Sequence, residues 1–93
     1  MAYILNPVDN SSMYKRENAQ FTNGGTGNLA ISDFPTNGIP IAIEPVTGNT
    51  DCYITFFKSI ATGKWYVHCA NFSTGEAIGN PNMNGCTLYY LTK

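Results

Sequence analysis

The sequence has few charged residues and no long apolar segment. Charged side chains make up 12% of its 93 residues, and the formal net charge is −1, whereas a usual share is roughly 25%. The one basic cluster, Lys15-Arg16, is followed at once by Glu17. No apolar run approaches the roughly 20 residues that a membrane helix needs. We therefore expect no nucleic-acid partner and no membrane partner.

The N-terminus also lacks the features of an export signal. Its first ten residues, MAYILNPVDN, have no positive segment and only a very short apolar run. A secretory signal needs a positive segment followed by a longer apolar core. We therefore expect synthesis in the cytoplasm without export, or exit from the cell by another route such as lysis.

The cysteines and the single histidine lack the spacing of a reactive or metal site. Cys52, Cys69 and Cys86 recur every 17 residues, and no C-x₂₋₄-C pair occurs. Neighbouring side chains of a strand point to opposite faces, so His68 and Cys69 cannot make the contact of about 3 Å that a Cys–His nucleophile needs. An odd cysteine count argues against a complete disulfide framework. We predict buried, reduced thiols, with no metal, no cofactor and no enzyme activity.

Turn signals separate short segments that alternate between apolar and polar residues. Thr-Gly steps occur at 26–27, 47–48, 62–63 and 74–75, and such steps favour turns. Period-2 alternation between them predicts strands. The predicted strands are 28–32, 39–46, 51–60, 64–72 and 86–92, with a further short strand near 77–78.

Two of these segments carry additional predictions. The short connection ATGK predicts a hairpin between 51–60 and 64–72. Alternation in 39–46 places Ile39, Ile41 and Ile43 on one face. Pro40 and Pro45 cannot donate to a strand ladder, so this strand lies at a sheet edge or is broken at its ends.

The fold class that these segments indicate is all-β. We predict a single domain over 1–93, with a polar, partly extended N-terminal arm (1–28) and a β core (29–93). A short helix within 11–20 is an alternative for part of the arm. The core is predicted to be a small antiparallel β-sandwich or jelly-roll-like barrel, because one open sheet would leave Phe57, Phe72 and Leu91 in water.

Aromatic side chains are the candidate interface or binding residues. Exposed Tyr and Trp side chains anchor protein interfaces and stack against sugars. The candidates are Trp65, Tyr66, Tyr53, Tyr89 and Tyr14. Tyr53 and Tyr66 are on the same face of the predicted hairpin, so they are expected to be able to sit side by side. Two alternatives stay open: a core or subunit contact, and a glycan platform.

The last 38 residues carry a resemblance to a known group of proteins. Residues 56–93, FFKSIATGKWYVHCANFSTGEAIGNPNMNGCTLYYLTK, resemble the C-terminal β modules of tailed-bacteriophage virion proteins, such as capsid decoration proteins, head fibres and tail-fibre tips. The shared features are a Thr-Gly turn, the W-Y-V strand, the N-F-S-T-G turn, an Asn-rich loop and a last strand with paired aromatics. The resemblance implies a homotrimer in contact with a larger capsid or fibre protein on the virion.

The composition agrees with the role that the resemblance implies. A short chain with little charge and many neutral polar residues is typical of packed assemblies. We therefore expect a structural virion protein that decorates or cements the capsid through subunit contacts. The alternative is a receptor- or glycan-binding tip of a head or tail fibre.

Overall fold

Seven strands form two antiparallel sheets in a computed structural model of the chain, which describes residues 12–92. The strands are β1 (Ser12–Arg16), β2 (Phe21–Asn23), β3 (Asn28–Ile31), β4 (Ile39–Glu44), β5 (Cys52–Lys58), β6 (Trp65–Asn71) and β7 (Thr87–Thr92). One sheet has the order β1-β7-β4 and the other β2-β3-β6-β5. The predicted all-β class is confirmed, and the two separate sheets make it a sandwich.

All five predicted strands are present, with ends that differ by at most two residues. The predicted hairpin is confirmed: β5 and β6 pair from Cys52↔Asn71 to Lys58↔Trp65 without interruption. The short strand near 77–78 reduces to one isolated bridge, between Ala77 and Ala70. The glycines of all four Thr-Gly steps have positive φ, as turns require.

Residues 12–28, predicted to be an arm outside the β core, contribute one strand to each sheet. β1 pairs with β7 from Ser12↔Thr92 to Arg16↔Leu88, and β2 pairs with β3. The segment is extended, as predicted, but it belongs to the sandwich. Its polarity reflects its position, because β1 and β2 are both edge strands. The rest of the predicted arm, 1–11, lies outside the described residues.

The helix offered as an alternative within 11–20 is wrong for the part that the structure describes. Residues 12–16 form β1 instead. Over 12–92 as a whole there is no helix with the length and apolar character that crossing a membrane requires.

The core lies between the two sheets. Leu88 of β7 forms one cluster with four residues of the other sheet, and the connections add three more side chains. These eight residues, each at most 7% exposed, are Ala19, Leu29, Ile31, Val67, Cys69, Met83, Cys86 and Leu88. Burial of each large apolar side chain contributes about 1.5–3 kcal/mol to folding.

A β-bulge in β4 changes which isoleucines face the core. The register with β7 shifts between Pro40 and Ala42, so Ile41 is an extra residue in the strand. Ile43 packs against the core, whereas Ile39 and Ile41 are 48% and 40% exposed. The prediction that the three isoleucines share one face is therefore wrong. The predicted edge position of β4 is confirmed.

Candidate functional site

The outer face of the four-stranded sheet carries two pairs of contacting aromatic rings. Phe57 and Tyr66 stack with centroids 5.2 Å apart and planes at 11°. Tyr53 and Phe72 lie 5.1 Å apart at 31°. Tyr53 is 55% exposed and Phe72 is 64% exposed. We call these four side chains the aromatic face. They form an apolar surface in contact with water.

Strand alternation and hairpin register build the aromatic face. Tyr53 and Phe57 are four residues apart in β5 and therefore share one side of the sheet. The register places Tyr66 opposite Phe57 and Ala70 opposite Tyr53. Tyr53 and Tyr66 are thus on one face, as predicted, but they are not side by side. Phe72, one residue beyond β6, covers the ring of Tyr53 instead.

A polar pair lies on the same outer face, between the two aromatic pairs. Nδ1 of His68 is 2.6 Å from Oδ1 of Asn28, the residue directly opposite it on β3. His68 is half-buried, whereas Cys69 is 0% exposed in the core. The predicted opposite orientation of these two side chains is confirmed. His68 joins two neighbouring strands and has no contact with the adjacent thiol.

Trp65 points away from the aromatic face and lines a cleft at one end of the sandwich. The side chain is half-buried and packs against the core. The cleft has a volume of about 700 Å³ and lies between the start of β6 and the loop after β3. Lys64, Trp65 and Tyr66 line one side, and Asp33 and Thr36 lie on the loop side. A Trp ring, a Tyr ring and two charged groups therefore border one concave surface.

The loop that forms one wall of this cleft is held in place by Arg16. The guanidinium donates to the carbonyl oxygens of Ser32 and Asp33, both at 2.9 Å. It also lies over the ring of Tyr90, with Cζ 5.6 Å from the centroid. Phe34 contacts the same ring edge-on at 5.2 Å. Asp33 has φ of 53°, a conformation that such contacts must stabilise. The cleft wall is therefore preformed.

Tyr14 and Tyr89 belong to the other sheet. Tyr14 is 47% exposed and stacks on Tyr90 at 5.6 Å. The hydroxyl of Tyr89 donates to Oε1 of Glu44 at 3.1 Å, and this bond raises the pKa of Tyr89. Tyr14 lies opposite Tyr90 and Tyr89 lies opposite Lys15, so Tyr14 and Tyr89 are on opposite faces of this sheet. The five predicted aromatics therefore do not form one surface: Tyr53 and Tyr66 share the aromatic face, and Trp65 and Tyr66 share the cleft.

Sequence reasoning missed Phe57 and Phe72 as members of this site. Both were expected to need cover from a second sheet. That sheet packs on the opposite side, and Phe72 remains 64% exposed. Alternation in β5 places Phe57 on the same face as Tyr53, and this pattern in the sequence could have identified Phe57 as a member of the site.

The three thiols are free and are packing groups. Cys69 and Cys86 are buried, as predicted, and Cys52 is half-buried. Burial, together with a hydrogen bond to the Cys52 sulfur, raises the pKa of Cys69 to about 12. Burial also raises the pKa of Cys52 and of Cys86. A thiol needs a lowered pKa to act as a nucleophile at neutral pH, and these have the opposite shift.

Within 12–92, no three His, Cys, Asp or Glu side chains come together in a group that could hold a metal ion. Comparison of the chain with protein families, with curated proteins and with solved structures finds no match. A functional assignment therefore depends on the surfaces described above.

Proposed function

We propose that this protein is a structural component of a tailed-bacteriophage virion that decorates or cements the capsid. It acts through contacts with copies of itself and with a larger capsid protein. The observation that carries the proposal is the aromatic face, where Tyr53 and Phe72 are 55% and 64% exposed on the outer side of the four-stranded sheet. The resemblance of residues 56–93 to phage virion modules supplies the biological setting.

Aromatic rings on a sheet suit a docking role. Each Tyr or Phe can bury about 150–250 Å², and removing apolar area from water is favourable by roughly 25 cal/mol per Å² before the entropic cost of association is subtracted. Phe57 contacts Tyr66, and Tyr53 contacts Phe72, already in the isolated chain. Side chains that are ordered before binding lose less conformational entropy on docking. The aromatic face is therefore prepared for a partner.

The surroundings of the rings are also those of an interface centre, where charged residues are depleted. The strand residues that share the outer face of the sheet carry no formal charge: Thr22, Asn28, Ala30, Tyr53, Thr55, Phe57, Tyr66, His68 and Ala70. Docking here would remove few charges from water, so little of the favourable burial energy would be lost to desolvation.

The mechanism that follows is mechanical. A specific docked interface buries about 1,600 Å² in total. Repetition of that contact over a capsid lattice adds avidity without a new contact. Copies that bridge neighbouring capsid subunits would resist expansion of the shell.

Binding to capsids stripped of this protein tests the proposal. We expect the double variant Tyr53→Ser, Phe72→Ser to bind at least tenfold more weakly than the wild type, which corresponds to about 1.4 kcal/mol. The matched control is Val46→Ser, because Val46 is 47% exposed but lies outside the aromatic face. Binding that is unchanged in the double variant, or equally weakened in the control, would contradict the proposal. Sedimentation of the wild type measures whether the oligomer is the homotrimer that the resemblance implies.

The cleft beside Trp65 favours a second candidate, a glycan-binding tip of a head or tail fibre. Trp65 and Tyr66 offer rings for stacking, and Asp33 and Lys64 offer hydrogen-bonding groups across the same concave surface. Sugar sites commonly combine these two kinds of group. This candidate predicts binding on a glycan array that is lost in Tyr66→Ala and kept in Tyr53→Ala.

Because Trp65 is the only tryptophan of the chain, its fluorescence would report titration with any sugar found on the array. A saturable change that Tyr66→Ala removes would support the glycan-binding tip. An array without hits, together with capsid binding, would contradict the glycan-binding tip and support the structural role.

A further inference from the structure

β5 is an unusually open edge of the four-stranded sheet. It has seven residues, CYITFFK, and pairs with β6 at every position. Edge strands are commonly protected by shortness, prolines, bulges or charges. β4 has both Pro40 and a bulge, whereas β5 has only Lys58 near its end. Among residues 12–92, no strand pairs with the other side of β5.

The backbone contacts of Cys69 show which groups of β5 point outward. Its N–H donates to the Gly27 oxygen at 2.7 Å, and its oxygen accepts from the Ile78 N–H at 3.1 Å. Both backbone groups of Cys69 are therefore turned away from Ile54, the residue opposite on β5. The two residues form a non-hydrogen-bonded pair of the ladder. The N–H and C=O of Ile54 thus point to the open edge.

The end of the hairpin confirms which backbone groups of β5 point to the open edge. Ser59 N–H donates to the Lys64 oxygen at 2.9 Å, which marks a hydrogen-bonded pair one step beyond Lys58. Because the two kinds of pair alternate along an antiparallel ladder, every second residue of β5 presents its N–H and C=O to the open edge. These residues are Cys52, Ile54, Phe56 and Lys58.

The inner side chains of β5 are only partly covered. Ile54 and Phe56 pack against the core but remain half-buried. Their cross-strand neighbours on β6, Cys69 and Val67, are both 0% exposed. Core side chains lose their cover toward this edge, so a strand added beside β5 would bury them further.

We propose that β5 pairs antiparallel with β5 of a second copy, about a two-fold axis at Thr55. In this register Tyr53 lies opposite the partner's Phe57, and Ile54 lies opposite the partner's Phe56. The two four-stranded sheets become one sheet of eight strands, and the aromatic face continues across the axis.

The pattern of β5 fits a copy of itself. The outward backbone groups fall symmetrically on both sides of Thr55, as do the two outer aromatics and the two inner apolar residues. Lys58 faces the partner's Cys52, so the like charges of the two copies are not opposed. An isologous contact requires this self-complementarity.

This inference rests on the proposed function, because the proposed function requires contacts between copies of the protein. The inference specifies one of those contacts. It is a two-fold contact and therefore differs from the three-fold contact of a homotrimer. The experiment below separates the two proposals, because cross-linking in solution needs no capsid.

Cross-linking in solution tests the register. All variants carry Cys52→Ser, which removes the partly exposed thiol, and are oxidised with copper phenanthroline. Facing residues of a non-hydrogen-bonded pair have Cα atoms about 4.5 Å apart, within the range of a disulfide. We expect Thr55→Cys to form a covalent dimer with itself.

Two further variants provide the matched controls. Tyr53→Cys alone and Phe57→Cys alone should not link to themselves, because identical positions lie four residues apart, or about 13 Å. A mixture of the two should link. No dimer from Thr55→Cys, or equal linking by Tyr53→Cys alone, would overturn the inference.

A charge placed on the axis gives an independent measurement. Thr55→Lys brings two like charges directly opposite each other, and we expect it to raise the dimer dissociation constant at least tenfold in sedimentation. Thr47→Lys, in the β4–β5 connection, adds the same charge and should leave dimerisation unchanged. Equal effects would contradict the contact. A dimer linked at 55 that fails to bind capsids would refute the proposed function alone, and capsid binding without this dimer would refute the inference alone.

Discussion

The Nδ1 atom of His68 lies 2.6 Å from Oδ1 of Asn28 and joins the two central strands of the four-stranded sheet. The contact lies on the outer face, so it connects β3 to β6 without using the core. Because the two residues are directly opposite in register, the bond favours this pairing over a shifted one. The next residue, Cys69, is buried on the opposite face of β6. His68 therefore serves strand pairing and Cys69 serves core packing, so each residue of the His-Cys sequence has its own structural role.

A double-mutant cycle measures this bond. His68→Ala and Asn28→Ala should each lower the free energy of unfolding, and the two changes should couple by about 0.5–1.5 kcal/mol, since they remove the same hydrogen bond. Urea unfolding provides the measurement. A cycle that combines His68→Ala with Thr36→Ala should be additive, because Thr36 lies in the loop beside the cleft. Coupling below about 0.3 kcal/mol would show that the bond contributes nothing measurable.

Gly27 is expected to tolerate no side chain. Its φ is 77°, and a Cβ there would meet Cβ of Ala77 at 2.8 Å and Cε1 of His68 at 3.0 Å. Gly27→Ala should therefore lower the free energy of unfolding by about 2–4 kcal/mol. Gly48→Ala is the matched control, because Gly48 has φ of 97° and, among residues 12–92, no atom beyond its chain neighbours lies within 4 Å of the position that a Cβ would take.

Gly48→Ala introduces backbone strain but no steric clash, so it should lower the free energy of unfolding by about 1 kcal/mol. Adding Ala77→Gly to Gly27→Ala removes the nearest clash and should recover part of the loss. Thermal unfolding distinguishes these outcomes. Equal losses in the two single variants would mean that crowding at Gly27 has no energetic effect.

Alternation predicted the five strands β3 to β7 well because each of these strands has one face toward the core. In β6, Val67 and Cys69 are 0% exposed while His68 between them is half-buried, and the same period is visible in the sequence. The bulge at Ile41 shows the limit of this reasoning. One extra residue reverses which face of β4 the following side chains occupy. The bulge is visible only in the pairing of β4 with β7.

The sequence could not predict which strands pair over long distances. β7 lies between β1 and β4, with Leu88 opposite both Arg16 and Ile43, and no local turn signal encodes such pairs. The candidate site has the same limit. Alternation assigned Tyr53 and Phe57 to one face, but whether that face met water or a second sheet depended on which side the other sheet packs.

Arg16 is expected to stabilise the cleft wall. Its two hydrogen bonds to the oxygens of Ser32 and Asp33 are lost in Arg16→Ala, which should lower the free energy of unfolding by about 1–2 kcal/mol. Arg16→Lys should recover only part, because an ammonium lacks the planar fork that reaches two oxygens. Lys15→Ala is the control and should change stability by less than about 0.5 kcal/mol, since its pair with Glu17 is exposed. Equal effects at the two positions would contradict this role.

The buried thiols predict a loss of stability at alkaline pH. Burial raises the pKa of Cys69 from 9.0 to about 12, so the folded state keeps this proton at a pH where the unfolded state releases it. The unfolded state then binds fewer protons, and the free energy of unfolding falls as pH rises. The contribution of Cys69 is fully present below pH 9 and is lost progressively up to about pH 12.

Urea unfolding between pH 8 and pH 11 would measure this effect. Above pH 9 the slope due to Cys69 approaches about 1.4 kcal/mol per pH unit. Cys69→Ala should lower stability at neutral pH through the lost packing but should show a shallower decline with pH. Val67→Ala provides the control, because Val67 is equally buried and does not titrate, so it should lower the whole curve without changing its slope. Parallel curves for wild type and Cys69→Ala would show that the thiol proton is not retained on folding.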